Sequence, residues 1–344
     1  MCMMCAFISK DKKTQAAPIL LEAGKRIEGL WSGHYTGIGV QGDDGTLCIR
    51  KTTGYSRYWE EQFSCSELPG SVGFFHSRTG SGGDVRYAHP FLAHDGSAML
   101  VSQGSAGIFK NQDEIIGAIG DSLLDEGVVF SSADSTLEIR KYPFTKDGAQ
   151  VHVSDIVAEY AASNFRKLRD PLVAVRKTAT DIKEEAVSLF IFKDCPGHVY
   201  LANMNQRICI HFGEDGAMMA SCALAMGDRP VNLIEIPPNT VGDVTATDVK
   251  LEPLNPLLKP YEGYPAGLLD AVLEWLPNNP RTGLSCFLDK VLKQHYPSDV
   301  LRHVPTTRIF EYLYYEGRLL LETEEVPGLV DEHKALKTRI TLKA

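Results

Sequence analysis

The chain is short of positive charge. Its 344 residues hold 35 lysines and arginines against 44 aspartates and glutamates, a formal net charge of −9. Indiscriminate binding to a phosphate backbone needs a basic surface, so a nucleic-acid partner is not expected. No apolar run is long enough to cross a bilayer, so no membrane partner is expected either. The opening MCMMCAFISKDKK places its charges after a short apolar run, the reverse of a secretory signal, and the expected location is the cytoplasm. There is no internal repeat and no low-complexity segment.

Cysteine is sparse for a disulfide framework. The eight thiols, Cys2, Cys5, Cys48, Cys65, Cys195, Cys209, Cys222 and Cys286, are scattered along the chain. Cys2 and Cys5 form a lone C-x-x-C with no second pair, so neither a zinc site nor any other metal or cofactor is expected. Most of these residues read as small buried apolar side chains.

What is present is ordinary globular composition, 44% hydrophobic and 23% charged, over a length that suits one large domain and a smaller one. Residues 2–8 read as a buried strand and 14–28 as a helix. Tyr35–Val40 and Thr46–Lys51 read as strands joined by the turn Gly42-Asp43-Asp44-Gly45. Ser71–His76 and Ala98–Ser102 read as strands, the second ending at Gln103-Gly104. Asp113–Glu126 and Ser154–Lys167 read as helices. From 186 to 250 short apolar or alternating runs dominate. Many strands with few helices imply stacked antiparallel sheets covered by helices. Four prolines within 251–265 mark a linker, and three helical patterns follow, Ala266–Trp275, Leu284–Gln294 and Thr307–Glu316. Gly317–Glu322 then reads as a strand or wing, and 332–344 as a polar, basic tail. The region 251–344 carries 11 basic and 13 acidic residues, which favours a protein-interaction module over a DNA reader.

The first chemical signal is Cys2, directly after the initiator methionine. With Met1 removed, its α-amino group could act as base for its own thiol. Four further motifs follow in order: Gly73-Phe74-Phe75-His76-Ser77-Arg78, a glycine-rich loop and Ala88-His89-Pro90; Met99-Leu100-Val101-Ser102-Gln103-Gly104; Ser131-Ser132-Ala133-Asp134-Ser135; and late strands with Phe192-Lys193-Asp194 and Gly213-Glu214-Asp215-Gly216. In this order, over roughly residues 2–250, the chain resembles the class II glutamine amidotransferases, N-terminal-nucleophile hydrolases such as the glutaminase domain of glucosamine-6-phosphate synthase.

The resemblance implies an α+β fold, a four-layer αββα sandwich over 1–250. The linker over 251–265 and a small helical domain over 266–344, winged-helix-like in pattern, complete the chain. It implies that Cys2 attacks the glutamine side-chain amide, that Arg78 binds the substrate carboxylate through two parallel donors, and that Ser81 adds a donor to it. Asp134 would accept from the substrate ammonium, or cap a helix over Ser135–Arg140, or both. Gln103 and Gly104 would form the oxyanion hole. His76 and His89 read as structural supports.

Four positions depart from the family pattern. Met3-Met4 stand where the family has Gly-Ile, which places a larger residue beside the expected substrate approach. Gln103 stands for Asn, its donor displaced by about 1 Å. Trp31-Ser32 stand for Arg-Gly, and Thr79-Gly80-Ser81-Gly82 replace an aromatic-Ala-Thr-His run. The 94 residues after position 250 are too few for the family's sugar-isomerising half, so the ammonia acceptor is expected on another chain. A homo-oligomer is compatible with all of this. The rival readings are a regulatory protein that senses an amino acid, and an amide hydrolase for another substrate.

Overall fold

The computed structural model describes residues 2–105, 109, 112–137, 139, 142–255, 267–292, 294, 303–330 and 332–343. The first half runs β1 (Met3–Ser9), α1 (Ala16–Ile27), β2 (Tyr35–Gln41), β3 (Leu47–Thr53), α2 (Ser56–Gln62), β4 (Val72–Arg78), β5 (Phe91–Leu92), β6 (Ala98–Ser105) and α3 (Gln112–Asp125). It continues through α4 (Val153–Leu168), α5 (Pro171–Asp181), β7 (Glu185–Phe192), β8 (Val199–Asn203), β9 (Cys209–Phe212), β10 (Gly216–Ala220), β11 (Ile234–Glu235), β12 (Thr240–Val244) and β13 (Val249–Pro253).

These strands make two antiparallel sheets. The seven-stranded sheet has the order β11-β9-β10-β1-β4-β2-β3, and the six-stranded sheet β13-β12-β8-β7-β6-β5. Strand alternation sorts their side chains into three cores. Met4, Ala6 and Ile8 of β1 join Val72 and Phe74 of β4 against Met99 and Val101 of β6 and Val187 and Leu189 of β7, filling the space between the sheets. Met3, Cys5, Phe7 and Phe75 point the other way, onto α1. Leu100, Phe190 and Phe192 face Ile156, Ala158, Ala161 and Val175 of α4 and α5. The layers are therefore helix, sheet, sheet, helix.

Local chemistry sets the helices. In α1, Ala16, Ala17, Leu20, Leu21, Ala23, Gly24 and Ile27 form one buried stripe, and Lys25 and Arg26 sit in its last turn, where cations suit the helix dipole. Gly24 is required by contact: a Cβ there would lie 2.3 Å from the Phe75 ring. Asp170 caps α5 by accepting from Val173 N–H at 3.0 Å, with Pro171 in the first turn.

Three sequence expectations need correction. Leu251–Pro253 belong to β13, paired along β12, so the expected linker starts inside a strand and the first domain runs past 250; 256–265 lie outside the described residues. Its prolines misled because Pro253 ends an edge strand, where no ladder donor is needed. The helix expected over Ser135–Arg140 does not open: Asp134 instead forms a β-bridge with Gln150, and Ser135 and Thr136 lie in a bend. The expected basic tail is β15 (Ala335–Leu342), the antiparallel partner of β14 (Leu319–Val326).

The C-terminal helices α6 (Leu268–Trp275), α7 (Leu284–Phe287, loosening to π-type turns over Leu288–Leu292) and α8 (His303–Tyr315) precede that hairpin. Their apolar residues do not form a separate core. Leu268, Val272, Leu292, Phe310 and Leu313 join the α1 core. A buried ion pair adds to the junction: Arg207, ahead of β9, donates to Glu311 of α8 at 2.8 Å, and Ala223 N–H donates to the same carboxylate at 2.6 Å. Among the described residues no helix is long and apolar enough to cross a membrane.

Candidate active site

The site lies at one end of the gap between the two sheets. In the β1–β4 ladder Met3 pairs with Ser77 and Met4 with His76, so Cys2 and Arg78 are the residues just past that end of the ladder. Alternation gives Cys2, Met4, His76 and Arg78 the inter-sheet face. Met3 takes the opposite face. It is 1% exposed in the α1 core, and its sulfur accepts from the Ser221 hydroxyl at 3.4 Å, so it does not crowd the approach to Cys2 as its size suggested.

The Cys2 thiol is half-buried. Burial alone would push its pKa up. The interaction with His76 and its charge, the charge of the chain's N-terminus and the backbone at Thr79 outweigh burial and bring it down to about 6. At Cys5, Cys209 and Cys222 burial outweighs the partners that lower the pKa and drives all three upward. His76 is itself oriented, its Nε2 3.0 Å from the Ser102 carbonyl of β6. This contact ties the Cys2 end of one sheet to the Gln103–Gly104 end of the other.

Arg78 is 1% exposed. Its guanidinium stacks on Tyr35, 4.6 Å from the ring centroid, donates Nη1 to the Gly82 carbonyl at 2.9 Å and donates Nη2 to the Tyr142 hydroxyl at 2.5 Å. Among the described residues no carboxylate lies within ion-pair distance of it. A buried cation held by neutral acceptors is poised to take an anion. The glycine-rich loop folds against the same group. Tyr35 donates to the Gly83 carbonyl at 2.6 Å, and Ser81 N–H bonds the Thr79 carbonyl at 2.9 Å, which places Ser81 in the loop beside Arg78.

Gln103 is buried, and β6 continues through it and Gly104 to Ser105 rather than ending there, pairing Gln103 with Val187 and Gly104 with Ala186. Gly104 has φ +147°, and a Cβ on it would sit 2.3 Å from the Glu185 carbonyl oxygen. The position therefore demands glycine.

Asp134 is already engaged. Its Oδ1 accepts from Thr136 N–H at 2.7 Å and Oγ1 at 2.6 Å, and Oδ2 pairs with Arg86. These contacts hold its pKa down at about 2. Arg86 also pairs with Asp84, so any ligand ammonium at Asp134 shares that carboxylate with a guanidinium.

The structure thus brings Cys2, Arg78, Ser81 and the Gln103–Gly104 strand end together, with Asp134 linked through Arg86 and the Tyr87–Tyr142 pair, whose rings lie 5.3 Å apart. Sequence reasoning missed the influence of His76 on the thiol, although its i, i+2 spacing to Arg78 on a strand was the available signal. Tyr35 and Tyr142 carried no local signal, because tertiary folding alone delivers them to Arg78. Among the described residues no group of three or more His, Cys, Asp or Glu could hold a metal ion.

No protein-family model matches the chain. Over 256 residues it is 27% identical to the glutamine–fructose-6-phosphate aminotransferase (isomerizing) of Methanothermobacter thermautotrophicus, covering 73% of this chain and 38% of that protein. It is 24% identical to the enzyme of the same name from Acidithiobacillus ferridurans, over 65% of this chain and 32% of that one. The chain carries a class II glutamine amidotransferase-like domain. It spans about a third of the length of these curated relatives. Its fold is shared with the glutamine phosphoribosylpyrophosphate amidotransferase of B. subtilis, solved with ADP and GMP, at a TM-score of 0.55 and 12% identity over 94% of this chain and 66% of that one. A second solved structure, an allosteric regulatory enzyme of purine biosynthesis, superposes with a TM-score of 0.57 at 12% identity over 98% of this chain and 71% of its own. Within the amidotransferase-like domain, Cys2 opens the first strand of the sandwich at the edge of the inter-sheet gap.

Proposed function

We propose that the domain hydrolyses the side-chain amide of glutamine to glutamate and ammonia through Cys2, for an acceptor carried on another chain. One observation carries this reading: a buried guanidinium without a carboxylate partner among the described residues and a thiol whose pKa is brought down to about 6 both lie just past the Met3–Ser77 end of the β1–β4 ladder. Glutamine has complementary parts. Its α-carboxylate fits Arg78, with Ser81 as an added donor, and its α-ammonium fits Asp134. Thiolate attack moves the carbonyl electron pair onto oxygen. The oxyanion is met by Gly104 N–H and the Gln103 amide, each donor contributing about 3 kcal/mol in sites of this kind. Collapse, with the proton given up by the Cys2 thiol returned to the departing nitrogen, expels ammonia and leaves a glutamyl thioester, which water hydrolyses.

The test is direct. The purified chain, incubated with glutamine, should release glutamate and ammonia in equal amounts, and Cys2→Ala should abolish both. Cleavage of another amide in place of glutamine would move the reading to a different amide hydrolase. Binding of glutamine without turnover would move it to a sensor.

A further inference from the structure

Resting on the glutaminase reading, we propose that Leu329, in the connection between β14 and β15, is a positioning residue for glutamine: it braces the glycine-rich loop over 79–83 beside Arg78, so that the C-terminal hairpin completes the site.

The contact is made at Gly80. A Cβ on that residue would lie 2.6 Å from Leu329 Cδ1 and 3.0 Å from the His34 ring, so leucine and imidazole already close on its backbone. Gly80 is not among the glycines with positive φ, so glycine there serves close approach and not a special conformation. Gly82 has φ +94° and is met by Ile139, which a Cβ would approach to 3.2 Å. Apolar side chains from two distant segments thus brace the loop. Between these braces it meets the substrate anchor. The Gly82 carbonyl accepts from Arg78 Nη1 at 2.9 Å, and the Gly83 carbonyl accepts from Tyr35, the ring on which that guanidinium stacks.

The hairpin is itself fixed, so Leu329 has something to push from. Leu336 N–H donates to the Gly33 carbonyl at 3.2 Å, and Thr338 N–H to the Gly29 carbonyl at 2.8 Å. Lys334 N–H donates to the Tyr58 hydroxyl at 3.1 Å, and the His333 ring stacks on Tyr58 with centroids 4.2 Å apart. From the other strand, Glu325 accepts from the Tyr55 hydroxyl at 2.5 Å. The segment that β15 holds also reaches the site, because His34 N–H donates to the Arg78 carbonyl at 3.1 Å. Leu329 stays 57% exposed, so it adds little to the core, and its covered part lies on the loop.

The substrate carboxylate is read as held by Arg78 and Ser81. With Leu329 trimmed, the loop gains freedom. Ser81 is then held less firmly beside the carboxylate, and the Gly82 carbonyl orients the guanidinium less well. Glutamine must order the loop as it binds, which weakens binding. Cys2 lies outside the loop, so the chemical step is spared and the effect falls on KM.

The experiment compares Leu329→Ala with wild type on the full chain, by steady-state kinetics with glutamine and by amide hydrogen exchange of the peptide covering 79–83. The expected result is KM raised about fivefold with kcat within about twofold, faster exchange over 79–83 and an unchanged melting temperature. Leu329→Met should restore both readouts. Leu320→Ala, which trims a leucine of β14 that is 47% exposed, should leave both at wild-type values. Unchanged KM or unchanged exchange in Leu329→Ala would overturn the proposal, and so would a lowered melting temperature, which would assign Leu329 to the fold. If the wild-type chain does not turn over glutamine, the glutaminase reading fails and exchange alone decides the brace: faster exchange keeps it, and unchanged exchange overturns it. Turnover with unchanged exchange would keep the glutaminase reading and overturn the brace.

Discussion

Cys2 and Arg78 are the residues just past the Met3–Ser77 end of the β1–β4 ladder, and strand alternation gives both the side of the sheet that looks into the inter-sheet gap. The guanidinium is placed by the last residue of β4 and the thiol by the residue that leads into β1. A ligand anchored at Arg78 is held at a distance from Cys2 set by the sheet.

Arg78→Ala should remove the anchor and cost about 3 kcal/mol, on the order of 100-fold in kcat/KM for glutamine, mostly through KM. Arg78→Lys should restore only part of this, because one ammonium cannot make two parallel bonds. Tyr142→Phe removes one neutral acceptor of Arg78 and should cost about 1 kcal/mol. Steady-state kinetics check all three, and an unchanged KM in Arg78→Ala would place the substrate carboxylate elsewhere.

Gly104→Ala should destabilise the chain by about 2 kcal/mol or more, since its Cβ would meet the backbone of Glu185 and Ala186 at 2.3 and 2.5 Å with φ at +147°. Thermal melting reads this, and a neutral substitution would contradict the backbone described at this position.

Glu311→Ala tests the junction between α8 and the sandwich. It strands Arg207, which is 4% exposed and then keeps Glu235 alone, at 3.1 Å. The expected loss is about 3 kcal/mol. Glu316→Ala, which breaks the exposed Arg229 pair, should cost under about 1 kcal/mol. Both proteins should unfold in one transition, because the helices and α1 share a core. A separate early transition of the C-terminal helices would contradict that.

Glu28 supplies a pH dependence. It is buried at the end of α1, where its carboxylate accepts from Ser56 N–H at 3.0 Å and from the Ser56 hydroxyl. Burial outweighs these bonds and raises its pKa from 4.5 to about 7. The folded state therefore keeps a proton that the unfolded chain releases. Stability should fall as pH rises from about 4.5 to about 7, by on the order of 3 kcal/mol, and then level off. Glu28→Gln cannot ionise and should flatten its share of that slope in denaturant titrations.

Much of the sandwich was legible because its strands are local patterns bounded by turns. The Gly42–Gly45 turn announced the β2–β3 hairpin, and the apolar positions Ile19, Leu20 and Ile27 announced α1. Cys2, Arg78 and Gly104 were legible by order along the chain. What was hidden depends on register and on distant segments. Strand parity sends Met3 to the helix side and His76 to the thiol, and a one-residue change in pairing would exchange them. Asp134 read as a helix cap because Asp with Ser and Thr nearby suits one. Its actual partners, Arg86 and Gln150, come from segments that sequence alone does not bring near. The C-terminal segment read as a separate unit because Arg207 and Glu311 lie 104 positions apart.

The central claim is that Cys2 and Arg78 together form a glutamine site. It is tested most directly by labelling the full chain with a glutamine-mimicking diazoketone and mapping the adduct by mass spectrometry. A single adduct at Cys2, suppressed by excess glutamine, absent in Cys2→Ala and strongly slowed in Arg78→Ala, is the expected result. An adduct on another cysteine, or labelling of Cys2 that neither glutamine nor Arg78→Ala affects, would contradict it.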